Sequence, residues 1–95
     1  MFYLLDREDY GEAITYTFEI VDYDYDPVGK ILIVLSDNSN IAGIVFNKEK
    51  MNPVDAIEYI ETFRDLLEND LLPIEEENKK IFITEIVYEE PEFFF

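Results

Sequence analysis

The chain has 95 residues, of which 48% are hydrophobic and 16% aromatic, a composition that argues against intrinsic disorder and is typical of one folded domain. It carries 23 Asp and Glu residues against 7 Lys and Arg residues, and the net charge of −16 excludes nucleic acid and anionic membranes as direct partners. It has no histidine and no cysteine, which excludes disulfides, thiol chemistry, histidine bases and the usual zinc sites.

The first residues predict an edge strand and no targeting segment. Residues 1–9, MFYLLDRED, lack a basic region and contain too short an apolar run for a signal peptide. No apolar run approaches the ~18 residues of a membrane span. With no cysteine to form disulfides, we expect a cytoplasmic protein. Residues 1–5 are the expected edge strand, and the polar residues 6–12, which include Gly11, are expected to turn.

A second strand is predicted from the alternation of apolar and polar side chains over residues 14–20. The alternation changes phase between Ile20 and Val21, which indicates a bulge or a break. Further on, we expect a turn at Pro27 and Gly29. In between lie three aspartates separated by two tyrosines: Asp22, Tyr23, Asp24, Tyr25 and Asp26.

Three more segments complete the predicted sheet. Residues 30–36 (KILIVLS) are almost wholly apolar, as in a central strand covered on both faces or at a tight interface. Residues 37–40 are a predicted turn and residues 41–47 its hairpin partner, in which Gly43 allows a bulge or the close approach of the helix. Residues 81–88 (IFITEIVY) are the last predicted strand.

Residues 52–72 are the only segment with a full helical period, a start signal and a stop signal. Asn52 is a suitable N-cap and Pro53 falls at the first helical position. We expect the helix to end at Asn69 or Asp70, because Pro73 prevents continuation. One apolar stripe follows at spacings of three and four residues: Ile57, Ile60, Phe63 and Leu67, widened by Ala56 and Leu66.

The element order is therefore β-β-β-β-α-β. It predicts an α+β fold, with a predominantly antiparallel sheet of about five strands and one main helix packed on one face. We assign residues 1–88 to a single domain and residues 89–95 to an acidic-aromatic tail. One helix covers only part of such a sheet, so we expect a homodimer. The tail ends in three aromatic residues, Phe93, Phe94 and Phe95. We expect at least one of these rings to be docked on the chain's own sheet or across a dimer interface. The alternative is a free tail peptide that inserts into a pocket of a partner.

The sequence predicts neither an enzyme nor a cofactor or resident metal. It has no glycine-rich phosphate loop, Ser36 and Ser39 have no base partner apparent in the sequence, and carboxylate pairs are too abundant to be informative. The D-x-D-x-D spacing of residues 22–26 resembles the start of a calcium loop, but Pro27 and Ile33 stand where such a loop has Gly and Glu. A weakly Ca²⁺-binding acidic domain is therefore kept as an alternative.

The main hypothesis is a small acidic protein that binds a basic, nucleic-acid-binding protein, as a nucleic-acid mimic or an inhibitor encoded by a virus or mobile element. Duplex DNA carries one charge per ~1.7 Å, so the net charge of −16 matches about 27 Å of duplex. The tyrosines among the aspartates offer cation–π surface to partner arginines. A further alternative is a structural homodimer whose acids serve solubility alone. The predicted partner-binding residues are Asp22, Tyr23, Asp24, Tyr25, Asp26, Glu58, Glu61, Asp65 and Glu68.

Overall fold

The computed structural model describes residues 1–74 and 80–90 and confirms the predicted α+β fold. Five strands form one sheet in the order β1-β2-β3-β4-β5. The first four strands pair antiparallel as successive hairpins, whereas β5 pairs parallel to β4 after the chain has crossed over through the helix. The elements are β1 (Phe2–Asp9), β2 (Ala13–Val21), β3 (Pro27–Ser36), β4 (Asn40–Asn47), α1 (Pro53–Glu68) and β5 (Phe82–Glu89).

The hydrophobic core lies between α1 and one face of the sheet. Alternate residues of the three inner strands supply most of it, because every second side chain of a strand points to the same face. Phe63 and Ala56 of the helix are fully buried against this face. The strand residues of the core are Tyr16, Phe18, Ile20, Val28, Ile31, Ile33, Leu35, Ala42, Ile44 and Phe46.

The helix begins as its sequence predicts. The Asn52 side chain accepts a hydrogen bond of 2.9 Å from the backbone N–H of Asp55 and donates one of 2.8 Å to the Asp55 carboxylate. Asn69 is the C-cap, also as predicted. The apolar stripe is only partly correct, because Ile57 is 55% exposed. Tyr59 packs at the sheet side instead, and its ring meets Phe2 of β1 edge to face at 6.5 Å.

Two predicted turns have the wrong bounds. Strand β1 continues to Asp9, so the first turn is confined to the residues that link β1 to β2. Pro27 and Gly29 lie inside β3, whereas residues 22–26 form the turn. The predicted bulge is present, since the β2–β3 register shifts between Ile20 and Val21. The extra residue is Val28 of β3, and it is buried beside Gly29.

The two strand glycines have opposite surroundings. A Cβ on Gly29 would lie 2.8 Å from the carbonyl oxygen of Val45, so β4 approaches β3 too closely for any side chain there. A Cβ on Gly43 would meet no atom within 4 Å, so the alternative that the helix closely approaches Gly43 is wrong. The other alternative, a bulge at Gly43, is confirmed, because the β4–β5 register shifts between Ala42 and Gly43.

The second face of the sheet has no covering layer among the described residues. Strand β3 is central, as predicted, but it is covered on one face only: Ile31 and Ile33 are fully buried, whereas Leu32 between them is 50% exposed. Phe82 of β5 is 57% exposed. No helix in residues 1–74 and 80–90 is long and apolar enough to cross a membrane. The tail prediction concerns residues 93–95, which lie outside the described residues.

Candidate functional site

Asp22, Asp24 and Asp26 lie in a tight loop, residues 22–26, between β2 and β3. The backbone N–H of Tyr25 donates to the Asp22 carbonyl at 3.1 Å, and the Asp22 N–H donates to the Asp26 carbonyl at the same distance. The Asp22 carboxylate also accepts from the N–H groups of Asp24, at 2.8 Å, and Asp26, at 3.0 Å. Asp22 therefore organises the loop, and Asp24 is exposed on it.

The two loop tyrosines project into solvent. Tyr23 is 94% exposed and Tyr25 is 72% exposed. Tyr25 also has a φ of +64°, a left-handed conformation that bulky side chains rarely adopt and that costs about 1 kcal/mol or more. The loop thus holds two largely exposed aromatic rings away from the core.

A groove of about 830 Å³ opens beside this loop. Antiparallel pairing brings the start of β1, the end of β2 and the start of β3 to one end of the sheet, and the groove lies there. From the start of α1 it extends along the helix to Leu72, in the segment that follows. Four residues that the sequence analysis assigned to partner binding line the groove: Asp22, Tyr23, Asp24 and Glu58. The fold therefore brings the loop and the first half of the helix to one surface.

The other predicted residues lie outside the groove lining. Glu61, Asp65 and Glu68 are exposed along the helix and continue the acidic surface away from the loop. Asp26 forms an ion pair of 3.3 Å with Lys50, which precedes the helix. That pair is half-exposed and contributes little stability, but it fixes the loop beside the start of α1.

The sequence analysis assigned no binding role to most residues of the groove lining, among them Lys50, Asp55 and Tyr59. Asp55 is hydrogen-bonded to the N-cap Asn52, and Tyr59 lies outside the predicted apolar stripe. Both lie three or four residues from another groove residue, since Asp55, Glu58, Tyr59 and Thr62 all belong to the helix side of the groove. Helical spacing could therefore have found them, if it had been applied to the polar side of the helix as well as to the apolar stripe.

The electrostatics of the groove are dominated by carboxylates. Burial raises the pKa of Tyr59 above 10.0, and the charges of Asp22, Asp55 and Glu58 raise it further because they oppose formation of a phenolate. Within the described residues, no lysine or arginine lies within ion-pair distance of Asp24 or Glu58. The groove is therefore apolar in its walls and negative at its rim.

The described residues contain no group of three Asp or Glu side chains placed to hold a metal ion. In residues 22–26, one oxygen of the Asp22 carboxylate accepts two backbone N–H groups, and the Asp26 carboxylate is paired with Lys50. The calcium-binding alternative is left without a preformed cage in this part of the chain.

Comparison with known proteins gives no relative from which a function could be transferred. No protein-family model matches the chain, and no significant match is found among curated protein sequences or among solved structures.

Proposed function

We propose that this protein is a small non-enzymatic protein whose acidic surface binds a basic, nucleic-acid-binding protein. The observation that carries the proposal is the convergence of carboxylates from the 22–26 loop and from α1 on one groove, with two exposed tyrosines beside them. Carboxylates that lack an ion-pair partner in the described chain are available to lysine and arginine, and exposed tyrosine rings accept arginine by cation–π contact.

The dimensions of the molecule suit a nucleic-acid mimic. About 27 Å of duplex carries as many charges as the net charge of −16, and the longest dimension of the protein is 36 Å. The exposed helix acids extend the negative surface over about 15 Å along α1, at ~1.5 Å per residue from Glu58 to Glu68. The concrete form of the proposal is an inhibitor that occupies a nucleic-acid site, encoded by a virus or mobile element.

Affinity capture tests this proposal. The full chain is immobilised, incubated with a cell lysate at low salt, and washed either with added salt or with duplex DNA. We expect basic nucleic-acid-binding proteins to be retained and to be released by both, because counterions and phosphates compete for the same lysines and arginines.

A matched pair of double variants gives the control. Asp24→Asn with Glu58→Gln removes two charges beside the groove, and Glu12→Gln with Asp37→Asn removes two exposed charges at the opposite end of the sheet. Retention should fall at least tenfold in the first variant and stay near wild type in the second. Equal retention in both variants, or release by salt but not by DNA, would contradict the proposal.

A second proposal concerns assembly: the open sheet face is the interface of a homodimer. Five strands about 4.8 Å apart and about eight residues long cover roughly 600 Å² per copy, so the total of ~1,200 Å² is at the lower limit for a stable interface. The apolar residues Leu32 and Phe82 on exposed strand positions support this assignment. Lys30 lies opposite Glu19 in the β2–β3 pairing, so opposite charges are neighbours on this face of the sheet.

Sedimentation equilibrium tests the dimer. We expect concentration-dependent dimerisation that is lost in Leu32→Gln, because a polar side chain would be desolvated at the interface. Ile57→Gln is the matched control, since Ile57 is similarly exposed but lies on the helix. A wild-type chain that stays monomeric at high concentration would refute the dimer, and so would equal effects of the two variants.

A further inference from the structure

The groove has more than a charged rim, because its walls are apolar. Its lining includes Val28 from the bulge in β3, Met51 from the segment before α1, Leu66 from α1 and Leu72 from the segment after it. Its volume of about 830 Å³ lies within the ~300–1,000 Å³ typical of ligand-binding pockets. A purely electrostatic surface does not need such a recess, so the groove is suited to take a side chain.

The charges at the rim restrict what could enter. Asp22, Asp24, Asp55 and Glu58 line the groove, and Lys50 is the lysine that faces them. Lys50 is paired with Asp26, and the N-terminal ammonium donates to the carbonyl of Val21 at 2.9 Å. The groove therefore presents an excess of negative charge around an apolar interior, which favours a cationic and partly apolar occupant.

We propose that the groove binds a segment of the basic partner in which one large apolar side chain is flanked by lysine or arginine. The apolar side chain enters the recess, and the flanking cations meet the rim carboxylates and the Tyr59 ring. This inference rests on the proposed function and specifies the partner chemistry at the same site. Charge complementarity selects this occupant over two others, since a second copy of the chain and the chain's own tail, with Glu89, Glu90 and Glu92, are both acidic.

Fluorescence anisotropy with three labelled synthetic peptides tests the proposal on the full chain. The first peptide has one Phe among Lys and Arg residues, the second has Ala in place of Phe, and the third has Phe among Glu residues. We expect the first to bind at least tenfold more tightly than the second, because burying one aromatic ring is worth a factor of that size or more. The third should not bind.

Two protein variants locate the binding. Thr62→Phe fills the groove from an exposed helix position without changing the charge, and Thr84→Phe adds the same ring at an exposed position of β5. Thr62→Phe should abolish the preference for the Phe peptide over the Ala peptide and leave the weaker, salt-dependent binding of both. Thr84→Phe should keep the preference, with unfolding temperatures measured for both variants.

Three results would overturn the inference. Equal binding of the Phe and Ala peptides would show that the recess does not bind an apolar side chain. In that case, capture of basic proteins by the acidic surface would still support the proposed function. Binding of the Glu peptide would show that charge does not select the occupant. Deletion of residues 93–95 that tightens binding of the Phe peptide at least tenfold would identify the chain's own tail as the occupant.

Discussion

Gly29 and Gly43 offer a matched pair of substitutions that tests how closely the central strands pack. Both lie in strands of the same sheet, and neither has a positive φ. An added Cβ on Gly29 would lie 2.8 Å from the Val45 carbonyl oxygen and 3.1 Å from the Cδ1 of Ile20, whereas on Gly43 it would meet nothing within 4 Å. We therefore expect Gly29→Ala to destabilise the protein and Gly43→Ala to stabilise it slightly.

The magnitude follows from two opposing effects. Forcing a methyl group into a packed region costs about 1–3 kcal/mol, and here the nearest atom belongs to the backbone of β4, which cannot rotate away. Replacing Gly by Ala also raises the free energy of unfolding by about 0.4–1 kcal/mol, because Ala reduces the conformational entropy of the unfolded chain. The net loss at Gly29 is about 1.5 kcal/mol, equivalent to a fall of about 6–12 °C in the unfolding temperature of a domain this size.

Thermal and urea unfolding, followed by far-ultraviolet circular dichroism, measure this difference. Gly43→Ala should raise stability by about 0.4–1 kcal/mol in the same experiment, because only the effect on the unfolded chain remains. The reasoning would be refuted by a Gly29→Ala variant as stable as wild type, which would mean that β4 moves away at little cost. It would also be refuted by equal losses at both positions.

Four further predictions concern the helix, the charge and the tail. Phe63→Ala should cost about 3–5 kcal/mol in urea unfolding because Phe63 is fully buried, and Ile57→Ala less than about 1 kcal/mol because Ile57 is 55% exposed; similar losses would contradict the helix orientation. Since folding raises the pKa of Tyr59, its contribution to stability is complete below pH 10.0 and is lost as pH rises through the folded pKa; Tyr59→Phe should remove a tyrosine that ionises above pH 10.0 in an absorbance titration, and loss of one that ionises lower would contradict this. The unfolding temperature should rise from low salt to ~0.5 M salt as repulsion among acids is screened, whereas a flat or falling curve would mean that local ion pairs dominate. Deleting residues 93–95 should lower stability or shift dimer to monomer in sedimentation if the tail is docked, and should weaken partner binding alone if the tail is a free peptide.

Local sequence signals predicted the elements, but not every turn. The Asn52 cap and the stop before Pro73 are confirmed by the helix bounds, since capping depends on residues within one helical turn. The phase change at Ile20 and Val21 located the bulge, because side-chain alternation records which strand face each residue occupies. The placement of the next turn at Pro27 and Gly29 was wrong, because the hydrogen bonds of Asp22 close the loop earlier than the Pro and Gly signals indicate.

The sequence by itself determined the order of the elements, the side of the helix that carries Phe63, and the excess of negative charge, because each depends on residue type and local spacing. The tertiary structure alone decided that the Asp22 loop lies beside Glu58 and Tyr59, and that Gly29 rather than Gly43 is crowded. These neighbours are separated by tens of residues along the chain, and strand pairing and helix packing bring them together. Periodicity records which face a residue occupies but not what lies opposite it, so the groove exists only once the sheet and helix have assembled.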